Sequence, residues 1–243
     1  MNDFTNFLKI PLAHRGLHDA RLDENSLGAF KEAVKHGYGI ELDVHLMKDG
    51  GLAVVHDNHL GRVANLDINV SDLTIEDLQK TSLIISKEPI PTLKEVLEVV
   101  NGKVPLLIEI KVDGSFNPAL PAKIIELLKD YPDTNMIAIE SFNPYALRWL
   151  RKNHPRRYPY GQLISHNFEG VKSFTNLMFE TMGINLISRP YFISFDINYL
   201  PNKKVRRLYK RGKPIISWTI NTVEKQALAK RETANYIFEK IRP

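Results

Sequence analysis

The fold this sequence predicts is an α/β barrel of the TIM type, (β/α)8. It is read as one domain over residues 1–243, with a β-hairpin and a small excursion after the second strand. Three observations predict it. Short apolar runs alternate with amphipathic segments, which implies a parallel sheet with helices outside. Eight such runs fit a chain of 243 residues, close to the ~250 of a closed eight-stranded barrel. The competitor is a doubly wound open sheet, but no G-x-G-x-x-G follows an early strand.

The elements follow in order. IPLAH (10–14) is the first strand, and SLGAFKEAVKHG is the first helix, capped by Asn25 or Ser26 and ended by Gly37. YGIELDV (38–44) is the second strand. Lys48-Asp49-Gly50-Gly51 then signals a hairpin returning through LAVVHD. Residues 58–90 form the excursion. Thr92 and Glu95 make a capping box for a helix over 93–100, which leads into the third strand, LLIEIK (106–111). ALPAKIIELLKDYP is the next helix. The remaining strands are MIAIES (136–141), YPYGQLI (158–164), YFISFDI (191–197), PIISWTI (214–220) and NYIFE (235–239). Asn221 and Glu224 have capping-box spacing after the seventh strand.

Alternation along the strands locates the chemistry. Residues i and i+2 of a strand share a face. Glu41 and Asp43 therefore lie opposite Ile40, Leu42 and Val44, and Glu109 and Lys111 lie opposite Ile108 and Ile110. Buried carboxylates need a cation, a proton or hydrogen bonds. Three converging carboxylates suggest a divalent metal held by oxygen ligands. If Lys48 pairs with Gly51, Asp43 pairs with His56 and the hairpin brings that histidine onto the carboxylate face. A slip of one residue would turn it away.

Barrel sites lie at the C-terminal ends of the strands. His14, Arg15, Glu41, Asp43, His56, Glu109, Lys111, Trp218 and Asn221 are all expected on that rim. Such a set suits an anionic phosphoester: cations stabilise the charge that builds up on phosphoryl oxygens, and imidazoles exchange protons near neutral pH. Simpler readings stand beside these. Glu24, Asn25 and Asn221 also suit helix caps, Trp218 also suits the barrel core, and Lys111 also suits a salt bridge to Glu109. His45 shares the face of Asp43, while His18, His36, His59, His154 and His166 read as ordinary surface or core residues.

Composition sets the bounds. Without cysteine, disulfides and thiolate metal sites are excluded. No apolar stretch approaches a membrane span, and the N-terminus lacks the pattern of a secretory signal, so a cytoplasmic protein is expected. Net charge is +5, and seven Lys and Arg residues lie between 203 and 213. That run reads first as a solvated helix face; it also leaves weak contact with an anionic membrane surface open. Nucleic-acid binding is not expected, because no aromatic-interleaved basic motif accompanies the run.

At these residues the chain resembles the glycerophosphodiester phosphodiesterase family, whose fold is the phospholipase C-like barrel. The family pattern appears as His14-Arg15-Gly16, Glu24-Asn25-Ser26, Glu41-Leu42-Asp43, Asp49-Gly50, His56-Asp57, Glu109-Ile110-Lys111 and Trp218-Thr219-Ile220-Asn221. The resemblance is strong over 11–113 and 214–221, weaker at Ser141-Phe142-Asn143 and thin between 150 and 213. It implies Mg or Ca held by Glu41, Asp43 and Glu109, and His14 and His56 as the acid–base pair. It places Arg15 and Lys111 close to the phosphate; Trp218 is read from its place on the rim as a substrate contact or as barrel core. It also implies cleavage of a glycerophosphodiester, a small molecule, to glycerol phosphate and an alcohol through a cyclic phosphate, and hence a place in lipid and glycerol metabolism. Two departures stand out: Met47 where Thr is common, and Phe238-Glu239 where Thr-Asp is usual. The alternatives are a related phospholipase acting on lipid or lysolipid headgroups, and a phosphoester-binding protein without catalysis.

Overall fold

The computed structural model describes residues 4–166 and 173–243. The strands are β1 (Leu12–His14), β2 (Gly39–Leu46), β3 (Leu52–Val54), β4 (Leu106–Ile110), β5 (Ile137–Ser141), β6 (Tyr160–Ile164), β7 (Phe192–Asp196), β8 (Ile215–Ile220) and β9 (Asn235–Phe238). All except β3 run parallel, and β1 pairs with both β2 and β9, so eight strands close into a barrel surrounded by helices. Each of the eight lies where an apolar run predicts a barrel strand. β3 is the antiparallel return of the hairpin.

The apolar residues sort by face. Ile40, Leu42, Val44, Ile108 and Ile110 belong to the large core between barrel and helices. Inside the barrel, Leu12, Leu107, Ala138, Phe192, Ile216 and Ile237 form an apolar floor. A short helix, Thr5–Lys9, closes that floor from below: Phe4 and Phe7 are buried, and their rings stack at 4.8 Å. A third cluster lies under the excursion and includes Leu60, Val70 and Leu78. Met47 is buried in it, so the departure at this position serves packing rather than the site.

The capping expectations separate. Thr92 and Glu95 make the capping box of the helix Leu93–Val100. Ser26, not Asn25, caps the helix Leu27–Lys35, and Thr222, not Asn221, caps the helix Val223–Glu232.

The hairpin register differs from expectation. Val44 pairs with Val54, His45 with Ala53 and Leu46 with Leu52. Met47 N donates to Gly51 O, and Gly50 has φ +84°, so the turn holds three residues rather than two. Asp43 therefore lies level with Val55, whose N–H donates to Asp43 O at 3.1 Å, and the expected pairing of Asp43 with His56 does not form.

Candidate active site

His56 nevertheless reaches the carboxylates. The chain leaves the β3 ladder and bends at His56, beyond the strand's alternation. The His45 Nε2–H donates to the His56 carbonyl at 2.9 Å and pins that bend, while His45 Nδ1 lies 2.9 Å from Asp113. His45 is thus a brace behind the site. Three of the histidines read as ordinary are not drawn into it: His36 pairs with Glu32, His59 with Asp67, and His166 packs on Tyr199. His18 lies close enough to feel the charges of Glu239, Glu24 and His14.

His14, Arg15, Glu41, His56, Glu109, Lys111 and Trp218 line one cavity of about 110 Å³ at the C-terminal mouth of the barrel. Register brings the acids together: His14 lies level with Glu41, Asp43 with Glu109, and Glu109 with Glu140. One oxygen each of Glu41, Asp43 and Glu109 lies within 4.8 Å of the others, and all three residues are buried. Hard oxygen donors grouped in this way suit Mg or Ca.

The cations already present only partly offset this charge. Lys111 Nζ bridges Asp43 Oδ1 at 3.0 Å and Glu109 Oε1 at 2.9 Å. Arg15 Nε lies 3.3 Å from Asp43 Oδ2, its Nη1 donates to Glu24 Oε1 at 2.8 Å, and its backbone N–H donates to Glu41 Oε2 at 3.1 Å. Four buried carboxylates, counting Glu140, thus face two cations. Burial, then repulsion from Asp43 and Glu109, holds Glu41 well above the usual carboxylate range. Burial also raises Glu109. It would raise Asp43 too, but Lys111 and Arg15 outweigh it and Asp43 is held well below the usual range. A formal excess of two negative charges is the electrostatic match for one divalent ion.

Both histidines sit against carboxylates. His14 Nδ1 lies 3.1 Å from Glu239 Oε2, and His56 Nδ1 lies 2.6 Å from Asp57 Oδ1. The hydrogen bond from His14 draws Glu239 down to about 2, so it is ionised and accepts the Nδ1 proton. Asp57 is lowered as well: burial is outweighed by Arg62 and His56. In each pair Nδ1 carries the proton and Nε2 is left to exchange one. Burial lowers the proton affinity of His56, against the opposing charge of Asp43.

Contacts behind these residues fix the geometry. Arg62 donates to Asp57 Oδ2 at 2.6 Å and to both oxygens of Glu24, tying the His56 partner to the Arg15 partner. Asn25 Nδ2 donates to Asp43 Oδ2 at 2.9 Å. Gly16 is required locally. Its φ is +83°, and a Cβ there would come within 2.9 Å of Ala29 and Phe30. Trp218 packs edge-on against Phe142 at 5.8 Å, and its buried Nε1 has no hydrogen-bond partner.

Sequence reasoning missed three contributors. Glu239 registers there only as a departure from pattern. Glu140 carries the signal of Glu109, a lone carboxylate in an apolar strand. Arg62 carries none, since its contact with Glu24 spans 38 residues. Asn221, expected on the rim, is not among the residues lining the cavity. The run at 203–213 forms the helix Lys203–Lys210 and an exposed cluster in which Arg206 pairs with Glu232.

The model of the glycerophosphoryl diester phosphodiesterase family matches residues 14–238. Over 152 residues the chain is 40% identical to a glycerophosphodiester phosphodiesterase of Caldanaerobacter subterraneus subsp. tengcongensis; the match covers 59% of this chain and 62% of that protein's length. The crystal structure of a Thermotoga maritima glycerophosphodiester phosphodiesterase is similar at a TM-score of 0.72 and 29% identity, over 94% of both chains. An Oleispira antarctica phosphodiesterase, in complex with the product sn-glycerol-3-phosphate, shares the fold at a TM-score of 0.82 and 21% identity, over 97% of this chain and 94% of that one.

Proposed function

The chain belongs to the glycerophosphodiester phosphodiesterase family, and on that premise we propose that it hydrolyses glycerophosphodiesters to glycerol 3-phosphate and an alcohol. The observation that carries the reading is one cavity lined by two carboxylate-bound imidazoles and by Glu41 and Glu109, two acids of a buried three-carboxylate group that Asp43 completes. In this reading residues 1–243 act as one domain.

Glu41, Asp43 and Glu109 would hold a divalent cation, Mg or Ca. When bound, it supplies Lewis-acid polarisation of the phosphoryl oxygens. Arg15 and Lys111 add positive charge beside the phosphate, and Trp218 Nε1 is a further donor for an anionic oxygen.

His14 Nε2 takes the proton from the glycerol 2-hydroxyl, whose oxygen attacks phosphorus. His56 gives its Nε2 proton to the departing alcohol oxygen as that P–O bond breaks. The cyclic phosphate then opens by the reverse exchange: His56 takes a proton from water, the new P–O bond forms, and His14 returns its proton to the 2-oxygen. Glu239 and Asp57 hold each ring in the tautomer this needs. The lowered proton affinity of His56 makes its protonated form a stronger but scarcer donor. Activity on diesters with poor leaving groups should therefore fall as pH rises, and the fall should begin below the ordinary histidine value.

The test is release of glycerol 3-phosphate from glycerophosphocholine with added Mg or Ca. His14→Ala and His56→Ala should each lose about 10²–10⁴-fold in kcat. Undiminished turnover by a folded His56→Ala variant would remove the acid–base assignment.

One observation favours a second reading, a lysolipid substrate. A groove of about 560 Å³, lined by apolar residues such as Val112, Met178, Phe179 and Ile184, shares Phe142 with the catalytic cavity. Its size suits an acyl chain. Higher kcat/KM on lysophosphatidylcholine than on glycerophosphocholine would select it. Among the described residues no helix is long and apolar enough to cross a membrane.

A further inference from the structure

The cations at 203–213 take no part in the catalytic cavity, and the fold gathers most of them on one surface. The helix Lys203–Lys210 is held by its inner side: Val205 is buried, Leu208 packs on the main core, and the Asn202 side chain caps the first turn. Lys203, Arg206, Arg207, Lys210 and Arg211 follow the i, i+3, i+4, i+7, i+8 spacing of a single helix face. All five are exposed and line one shallow depression. Lys213 leaves this face and donates to the Pro190 carbonyl at 2.7 Å.

The charge there is nearly all of one sign. Glu232 pairs with Arg206 at 2.6 Å and with Arg231 at 3.3 Å. Among the described residues, Lys203, Arg207, Lys210 and Arg211 have no ion-pair partner. The five cations and Arg231, set against Glu232, leave five positive charges, which is the formal net charge of the whole chain. The rest of the molecule is electrically balanced.

A merely solvated face gains nothing from this. Like charges three and four residues apart repel along a helix, and cations in its first turn oppose the helix dipole. Other helices of the chain set opposite charges together, as in Lys35–Glu32, Lys80–Glu76 and Lys123–Glu126. An anionic partner that neutralises the face removes the local cost. Its shape selects the partner. Nucleic-acid strands are held in a cationic groove with stacked aromatic rings, whereas this face is open and Tyr209 is the one aromatic residue of the helix. A sheet of anionic headgroups asks only for a density of positive charge. Val205 and Leu208 face inward, so the helix adsorbs by charge and inserts little.

We propose that the helix Lys203–Lys210, with Arg211, is an electrostatic docking face for an anionic phospholipid bilayer. Such docking is independent of the phosphodiesterase reading: it holds the protein at a negatively charged membrane whatever the protein cleaves.

The test is cosedimentation of the full chain, in chelator, with vesicles of phosphatidylcholine alone and of phosphatidylcholine and phosphatidylglycerol in equal parts. Each basic residue near such a surface is worth about fivefold in binding. At ~0.1 M salt the wild-type protein should therefore bind the anionic vesicles about 100-fold or more tightly than the neutral ones. At ~1 M salt, where screening acts within about 3 Å, the preference should vanish. Arg207→Gln with Lys210→Gln should cost about 25-fold, and adding Lys203→Gln and Arg211→Gln should abolish the preference. If the fourfold variant does not fold, Lys203→Gln with Arg211→Gln carries the test, with an expected loss of about 25-fold. A wild-type protein indifferent to phosphatidylglycerol, or folded variants that bind as it does, overturns the docking face. Duplex DNA bound more tightly than the vesicles at equal phosphate concentration also overturns it and makes the face a nucleic-acid site. Turnover of zwitterionic glycerophosphocholine should be unchanged in these variants, and a loss of turnover matching the loss of vesicle binding would tie the face to catalysis and overturn its independence.

Discussion

Replacing Glu239 with Ala strips His14 of the carboxylate that accepts its Nδ1 proton. The contact is 3.1 Å between partly buried groups, 17% and 22% exposed at the side chain. Charge-assisted hydrogen bonds contribute roughly 1.5–3 kcal/mol, and the strongest run at about 2.7–2.9 Å. A 3.1 Å contact open to some solvent belongs at the lower end, about 1.5–2 kcal/mol, or roughly 10–30-fold in rate. Because Glu239 fixes the tautomer that leaves Nε2 free, the loss should fall on kcat. KM for glycerophosphocholine should move little. Glu239→Gln keeps an acceptor but not the charge, so its loss should be smaller, about three- to fivefold. The assay is initial-rate release of glycerol 3-phosphate across substrate concentrations. An Ala variant within twofold of wild type in kcat, or one whose whole defect is in KM, refutes the orienting role.

Three further outcomes follow from the same geometry. Chelation should abolish turnover, and Asp43→Asn or Glu109→Gln should weaken Mn binding by about 100-fold in calorimetry, since loss of outer-shell groups alone costs ~10–100-fold; full activity in excess chelator contradicts this. Burial, then repulsion from Glu109, holds Glu140 well above the carboxylate range, so its stabilising contribution is complete below the unfolded-state value and is lost as pH rises through the folded one. In chelator, Glu140→Gln should therefore raise Tm by several degrees at pH 8 and by less at pH 5, given ~2–4 °C per kcal/mol for a chain of this size; equal gains at both pH values count against a strained acid. Gly161→Ala drives a methyl into the Phe192 ring and should cost about 1–3 kcal/mol by urea unfolding, whereas an unchanged midpoint would show that the floor yields.

What was legible in the sequence was what has a period. Alternation put Glu41, Asp43 and Glu109 on the inner face, and the strand–helix rhythm located all eight barrel strands. Helix caps were legible to within a residue, because neighbouring Asn and Ser compete for one role. Ser26 caps while Asn25 turns to Asp43. The hairpin register was not legible. A three-residue and a two-residue turn share the same Asp-Gly-Gly signal, and the difference moves every pairing by one. His56 reached the site through a bend pinned by His45, a contact no spacing rule encodes. Arg62 and Glu239 act across the fold and have no local signature. Glu140 was the exception: the alternation rule applied to IAIES turns it inward.

The central claim is that one divalent ion sits on Glu41, Asp43 and Glu109 with a phosphorus atom flanked by His14 and His56. Crystals grown with Mn and sn-glycerol 3-phosphate test it directly through the anomalous signal of the metal. The account predicts one strong peak bounded by oxygens of those three carboxylates, with the phosphate between the two imidazole Nε2 atoms. A peak elsewhere, or a phosphate bound away from both histidines, would contradict it.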